Sequence, residues 1–187
     1  MPATPFSVGV HPWDAGSVPP EEIPGRLARF AVENRAVAIG ECGLDRLCGV
    51  PFSRQLAVFE AQAGLAETLS LPLIIHAVRA ASDVALLHRR INPSSVWIVH
   101  GFRGKPHQAE ELLSEGIYLS VGQHFNPRLP EVLPCSRMLV ESDTSPVPLV
   151  GIYDAVARAW GMERDGLAGC VEGVFNTVFA HARSDAG

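Results

Sequence analysis

The sequence predicts an α/β fold: parallel strands joined by crossover helices and closed as a TIM-like (β/α) barrel. Three observations predict it. The chain has 187 residues, 47% of them hydrophobic, enough for one sizeable core and too few for two ordinary domains, so 1–187 reads as a single domain. Short apolar, β-branched runs alternate with helical patterns along its length, the signature of strand–helix–strand units. Four of the apolar runs end in a side chain able to bind a metal, which favours a barrel, whose strands open onto one face, over an open doubly wound sheet.

The apolar runs fall at 7–10, 37–40, 73–76, 96–100, 117–121 and 138–141, each about the length of a buried strand. Between them, 54–69 sets Leu56, Phe59, Ala63, Ala66 and Leu69 on one helical stripe. The stretch 82–91 repeats the spacing with Val84, Leu87 and Ile91, and Ser82 stands where an N-cap is expected. A third helix, 107–115, stops before Gly116, a suitable C-terminal cap. The last two are expected at 152–160 and 167–182.

Composition excludes several classes. Charged residues are 19% of the chain, so it is neither a disordered acidic tail nor a collagen-like repeat. No apolar run approaches the roughly 18–20 residues of a membrane span, and the N-terminal MPATPFSVGVHPWD lacks a basic segment followed by an apolar one. A cytoplasmic chain without membrane attachment is therefore expected. Its 15 basic and 20 acidic residues give a net charge of −5. That argues against a protein that coats nucleic acid passively, but not against an enzyme that meets phosphate through metal ions. Cys42, Cys48, Cys135 and Cys170 form no CxxC pair, and four free thiols are expected.

The four strand-end residues are Glu41, His76, His100 and Asp143. They lie far apart in sequence, yet strands of one barrel bring their C-terminal ends together. Two imidazoles and two carboxylates suit Zn²⁺, Mn²⁺, Co²⁺ or Mg²⁺. A lone histidine after a strand is usually a loop residue, and a lone acid usually caps a helix. Four such residues at four strand ends are a metal-site pattern. Cys42, next to Glu41, should point to the helix layer if Glu41 faces the site.

Further motifs occur in order: GVHPW at 9–13, IGECGLD at 39–45, LPLIIHAVR at 71–79, VHGFRG at 99–104, LVESD at 139–143 and NTVF at 176–179. Together they resemble the TatD family of metal-dependent deoxyribonucleases, within the amidohydrolase-like barrel superfamily. The resemblance implies a barrel of the metallo-dependent hydrolase type and hydrolysis of phosphodiester bonds, as a 3′–5′ exonuclease on DNA. It implies a centre of one or two divalent ions, with Glu41 as the bridging carboxylate and His76 and His100 on the second metal. Asp143 then binds the first metal and orients the attacking water, which makes Asp143 and Glu41 the catalytic pair. The substrate partner is DNA or a nucleotide, and the chain is expected to be a monomer.

The departure lies at the start. The family opens on a strand carrying His-x-His, two ligands of the first metal, and this chain has no His-x-His. The first strand is therefore expected to be missing, and any metal to be single or the first site weak. The expected reason is a start assigned too late; a shortened relative, or a strand lent by another chain, are the alternatives. Around the centre, His11 is expected at the mouth of the site. Arg79 could fork onto a phosphate or pair with Asp83, and Arg103 with Lys105 makes a local basic patch. Asp45 could hold a ligand histidine or cap its own loop. His88 is expected on the solvated surface, and Trp97 and Phe102 in the core. Two other functions compete with the nuclease: an impaired TatD-like protein acting as a binding or interaction module, and a hydrolase of non-nucleic-acid esters or amides. In relatives of the second kind a carbamylated lysine commonly bridges the metals, and here that position is Glu41.

Overall fold

In the computed structural model, which describes residues 4–180, six parallel strands form one sheet in sequence order. They are β1 (Ser7–Val8), β2 (Ala38–Asp45), β3 (Leu73–Val78), β4 (Trp97–Val99), β5 (Tyr118–Val121) and β6 (Met138–Val140). Helices α1 (Ile23–Asn34), α2 (Phe52–Leu69), α3 (Ala81–Ile91) and α4 (Pro106–Ser114) make the first four crossovers. Short 3₁₀ turns at Leu129–Glu131 and Cys135–Arg137 make the fifth, and α5 (Leu149–Ala159) and α6 (Arg164–Val178) follow β6. Unbroken sequential order with parallel pairing is the arrangement of a TIM-like (β/α) barrel. Among the described residues no ladder joins β1 to β6, so the sheet is an arc whose two outer strands keep one edge each.

The strands alternate between two apolar layers, as a sheet covered on both faces must. Leu73, Ile75, Trp97, Val99, Leu119 and Val121 face the helices and pack with Phe59, Val84 and Leu112. Ala38, Ile74, Ile98, Tyr118 and Leu139 face the other way and meet Val174 and Val178 of α6 and Phe179 just beyond its end. Each fully buried large apolar side chain contributes about 1.5–3 kcal/mol. Trp97 and Phe102 are both buried, as expected.

The expected helices form, with shifted ends. The helix expected at 167–182 begins earlier, at Arg164, and ends at Val178; positions 181–182 lie outside the described residues. Ser82 is not an N-cap: Ala80 holds that position, and the Ser82 hydroxyl donates to Glu111 Oε2 at 2.6 Å. His88 is half-buried rather than solvated, edge-on to Trp97 with ring centroids 4.9 Å apart. Helix α1 had no sequence expectation. Cysteine chemistry also differs from expectation. Cys135 and Cys170 form a disulfide between the turn before β6 and α6, while Cys42 and Cys48 are free.

Candidate metal centre

Strand β2 carries Glu41, and its two glycines explain how. Pairing with β3 slips between Ile39 and Cys42, a bulge that re-aims the residues inside it. Gly40 and Gly43 have φ of +146° and +134°. A Cβ on Gly43 would fall 2.1 Å from the His76 carbonyl oxygen, and one on Gly40 would fall 2.6 Å from that of Ile74. Only glycine lets β2 approach β3 this closely. The register then sets Gly43 opposite His76, which brings the β3 histidine beside the bulge. Cys42 lies fully buried in the core, and burial pushes its thiol up.

Helix α2 fixes the neighbouring segments. Gln62, buried on its inner face, accepts from Val10 N–H at 2.7 Å and donates to the Val10 carbonyl at 3.0 Å. Gln55, also buried, accepts from Asp45 N–H at 2.7 Å and donates to the Asp45 carbonyl at 3.0 Å. Each amide matches both backbone groups of one residue, so neither half-buried Val10 nor buried Asp45 keeps an unpaired backbone group. His11 and Asp45 are thereby held at the end of the sheet.

Here the side chains converge. One ligand atom each from His11, Glu41 and His76 lies within 4.8 Å of the others. The His11 and His76 rings are 4.5 Å apart, and those of His76 and His100 are 5.6 Å apart. His100 Nε2 is 3.2 Å from Glu41 Oε2, and its Nδ1 is 3.5 Å from Glu141 Oε1. Glu41 therefore touches both groups. Asp45 supports from behind: its Oδ2 lies 3.5 Å from His76 Nε2 and accepts from Trp13 Nε1 at 2.7 Å, while Oδ1 accepts from Leu47 N–H at 2.7 Å. Both roles considered for Asp45 are combined.

The electrostatics at His11, Glu41 and His76 suit a cation. Burial lowers the pKa of His11 and His76, so both favour the neutral form that binds metals. Contact with His100 holds Glu41 below its usual range against the opposing effect of burial. Burial opposes charge on His100 too, but Glu141 and Glu41 outweigh it and raise the imidazole to about 10. His100 Nε2 is nevertheless buried without a hydrogen bond, although Glu41 Oε2 lies 3.2 Å away. A buried ring nitrogen left unpaired beside a carboxylate and a second imidazole fits a divalent ion, as does the mixed nitrogen and oxygen donor set.

The profile of the family described as TatD related DNase matches residues 3–179. The chain belongs to that family. A protein of Cronobacter turicensis named 3′-5′ ssDNA/RNA exonuclease TatD is 36% identical over 149 residues, 73% of this chain and 56% of the relative. An Escherichia coli protein named uncharacterized metal-dependent hydrolase YjjV is 34% identical over 125 residues, 63% of this chain and 48% of the relative. The chain thus spans about half the length of the curated relatives it matches. The crystal structure of YjjV, a TatD homologue, superposes with a TM-score of 0.83 at 25% identity, over 93% of this chain and 76% of that one. A TatD family hydrolase of Entamoeba histolytica shares the fold, with a TM-score of 0.80 at 17% identity over 94% of this chain and 74% of that one.

Within this TatD fold the expected site residues fall into two groups. Glu41, His76 and His100 come together, and His11, expected at the mouth, joins them. Asp143 stands apart: it is exposed on a turn with φ of +44°, three residues beyond the end of β6. With Arg103 and Glu141 it lines a cavity of about 250 Å³. Arg79 is exposed; Asp83, its candidate partner, instead takes Arg46 at 2.7 Å. Glu141 was missed. It contacts His100 and accepts from the Ser120 hydroxyl. Period-two spacing before Asp143 could have found it. No helix among the described residues is long and apolar enough to cross a membrane.

Proposed function

We propose that this chain hydrolyses phosphodiester bonds of DNA or RNA in a metal-dependent reaction, releasing nucleotides from the 3′ end. The observation that carries this reading is Glu41, one carboxylate in reach of His76 and His11 and in contact with His100. Membership of the TatD family and the names of its relatives support the same reading. Glu41, His76 and His100 would hold the ion. A bound divalent ion supplies a water acidified toward neutrality and a positive charge beside the phosphoryl oxygens.

The chain's own residues supply the rest. Asp143 lines the same cavity as Glu141, whose carboxylate lies against His100, and from that wall it accepts the proton of the attacking water; Glu141 fixes the His100 ring through Nδ1. His11 Nδ1 accepts from Trp13 N–H at 3.3 Å, so the neutral ring carries its proton on Nε2. That makes His11 a donor to a phosphate oxygen. Arg103, on the cavity wall, and Arg79, unpaired among the described residues, meet the flanking phosphates.

The test uses a 5′-labelled single-stranded oligonucleotide with Mn²⁺ or Mg²⁺. A ladder shortening from the 3′ end is expected, abolished by EDTA and restored by the metal. His76→Ala and His100→Ala should weaken metal binding in calorimetry and lose turnover together. Asp143→Asn should keep metal binding within about threefold and lose turnover by about 10²-fold or more. A metal-loaded chain that releases no nucleotide from any strand overturns the reading.

A further inference from the structure

We propose that the indole of Trp13 is a platform on which a nucleobase of the bound strand stacks at the rim of the metal centre. The inference rests on the nuclease reading and adds what recognises the base, which the charged residues leave unassigned. Trp13 is 61% exposed, an unusual position for the largest apolar side chain. It is nevertheless fixed. Its Nε1 donates to Asp45 Oδ2 at 2.7 Å, its backbone N–H donates to His11, and its ring stands edge-on to His11 at 4.8 Å. The His76 ring is 6.2 Å away. With three-fifths of its surface open, contact with His11 covers at most one face. The other is presented to solvent beside His11 and His76.

A rigid, exposed aromatic face next to a phosphodiester site has a specific use. Stacking a base on an aromatic side chain contributes about 1–3 kcal/mol and tolerates any sequence, as an exonuclease requires. The need is greater here because the chain carries a net charge of −5. Attraction to phosphates alone is weak in such a protein. Trp97, at 1% exposure, and Phe102, at 5%, cannot serve. Leu47, 62% exposed and hung by its N–H on the same Asp45 carboxylate, extends the apolar rim.

Two substitutions separate stacking from support of Asp45. Trp13→Phe keeps an aromatic face without the N–H donor, and Trp13→Gln keeps an N–H donor without the face. Binding is measured by fluorescence anisotropy in EDTA, so that no strand is cut, with two labelled oligodeoxyadenylates. One ends in a normal 3′ nucleotide and the other in an abasic 3′ residue; thermal unfolding checks that each variant is folded. For the normal strand Trp13→Gln should weaken binding about tenfold and Trp13→Phe less than threefold, while the abasic strand should bind wild type and both variants alike. Equal loss on both strands, a larger loss in Trp13→Phe than in Trp13→Gln, or wild type binding both strands equally or neither, overturns the platform. Whether metal then restores cutting is read separately from product release. A chain that prefers the normal strand but never cuts it keeps the platform and loses the nuclease.

Discussion

The first four strands and the last two carry their candidate site residues in different ways. In the first region the β2–β3 ladder runs past Glu41 and His76, with Gly43, Leu44 and Asp45 paired to His76, Ala77 and Val78, and His100 directly follows β4, its N–H bonded to the Ile75 carbonyl. Backbone pairing therefore fixes Glu41 and His76 before any side chain interacts, and buried Gln55 and Gln62 lock the flanks. In the second region β6 ends at Val140, and Asp143 sits on an exposed turn beyond it. Its placement depends on that turn and on a covalent staple, Cys135–Cys170, whose loop encloses β6 and α5. A strand end is thus a good predictor of position for a residue inside or next to the ladder and a poorer one three residues further on.

The largest effect should come from breaking the first region. Gly43→Ala puts a Cβ against the His76 carbonyl at a φ that disfavours side chains. Strain and overpacking together should cost about 2–5 kcal/mol in urea unfolding, and metal affinity should fall with it because β3 must move away from the bulge. Gly64→Ala on α2, with open space around the new methyl, should be neutral or slightly stabilising. If Gly43→Ala unfolds at the same urea concentration as wild type, the close approach of β2 and β3 does not set the site.

Breaking the second region should look different. Replacing both Cys135 and Cys170 by alanine frees a long loop and should cost about 2–4 kcal/mol. Metal affinity, held by the first region and by Glu141, whose N–H stays bonded to the Val121 carbonyl on β5, should stay near wild type, while turnover should drop because Asp143 lies inside the freed loop. Equal loss of affinity and turnover would show that the two regions are not separable.

The same contrast explains what could be read from the sequence. Strand order, helix order, and the convergence of Glu41, His76 and His100 follow from local patterns that a fold with sequential strands translates directly into space. Strand β2 runs to Asp45, well past 37–40, because Gly40 and Gly43 resemble strand breakers when they in fact admit a close neighbour. Helix α1 is disguised by Pro24 and Gly25, yet its proline stands in the first turn, where the missing N–H costs nothing. Gln55 and Gln62 interrupt the apolar stripe of α2 because their partners, Asp45 and Val10, belong to other segments. The Cys135–Cys170 bond has the same origin: which cysteines meet depends on where α6 docks, and spacing does not encode that.

The smallest effect should come from a contact that serves neither region. Glu67, at the end of α2, accepts from the backbone N–H groups of Ser94 and Ser95 and from the Ser94 hydroxyl, and so ties α2 to the start of β4, away from the strand ends that carry the site. The Ser94 hydroxyl and those N–H groups hold its carboxyl down at about 2, below an ordinary 4.5. A lowered folded value means that the contact stabilises above the unfolded value and is lost as pH falls through about 2. Glu67→Gln should therefore cost about 1 kcal/mol at pH 7, kept small by solvent around the contact. The gap to wild type should close between pH 5 and pH 2, with metal affinity unchanged at pH 7. A gap that stays constant over that range would mean that the carboxylate's charge contributes nothing; a change in metal affinity would mean that the bottom of the sheet is coupled to the site, against the separation argued here.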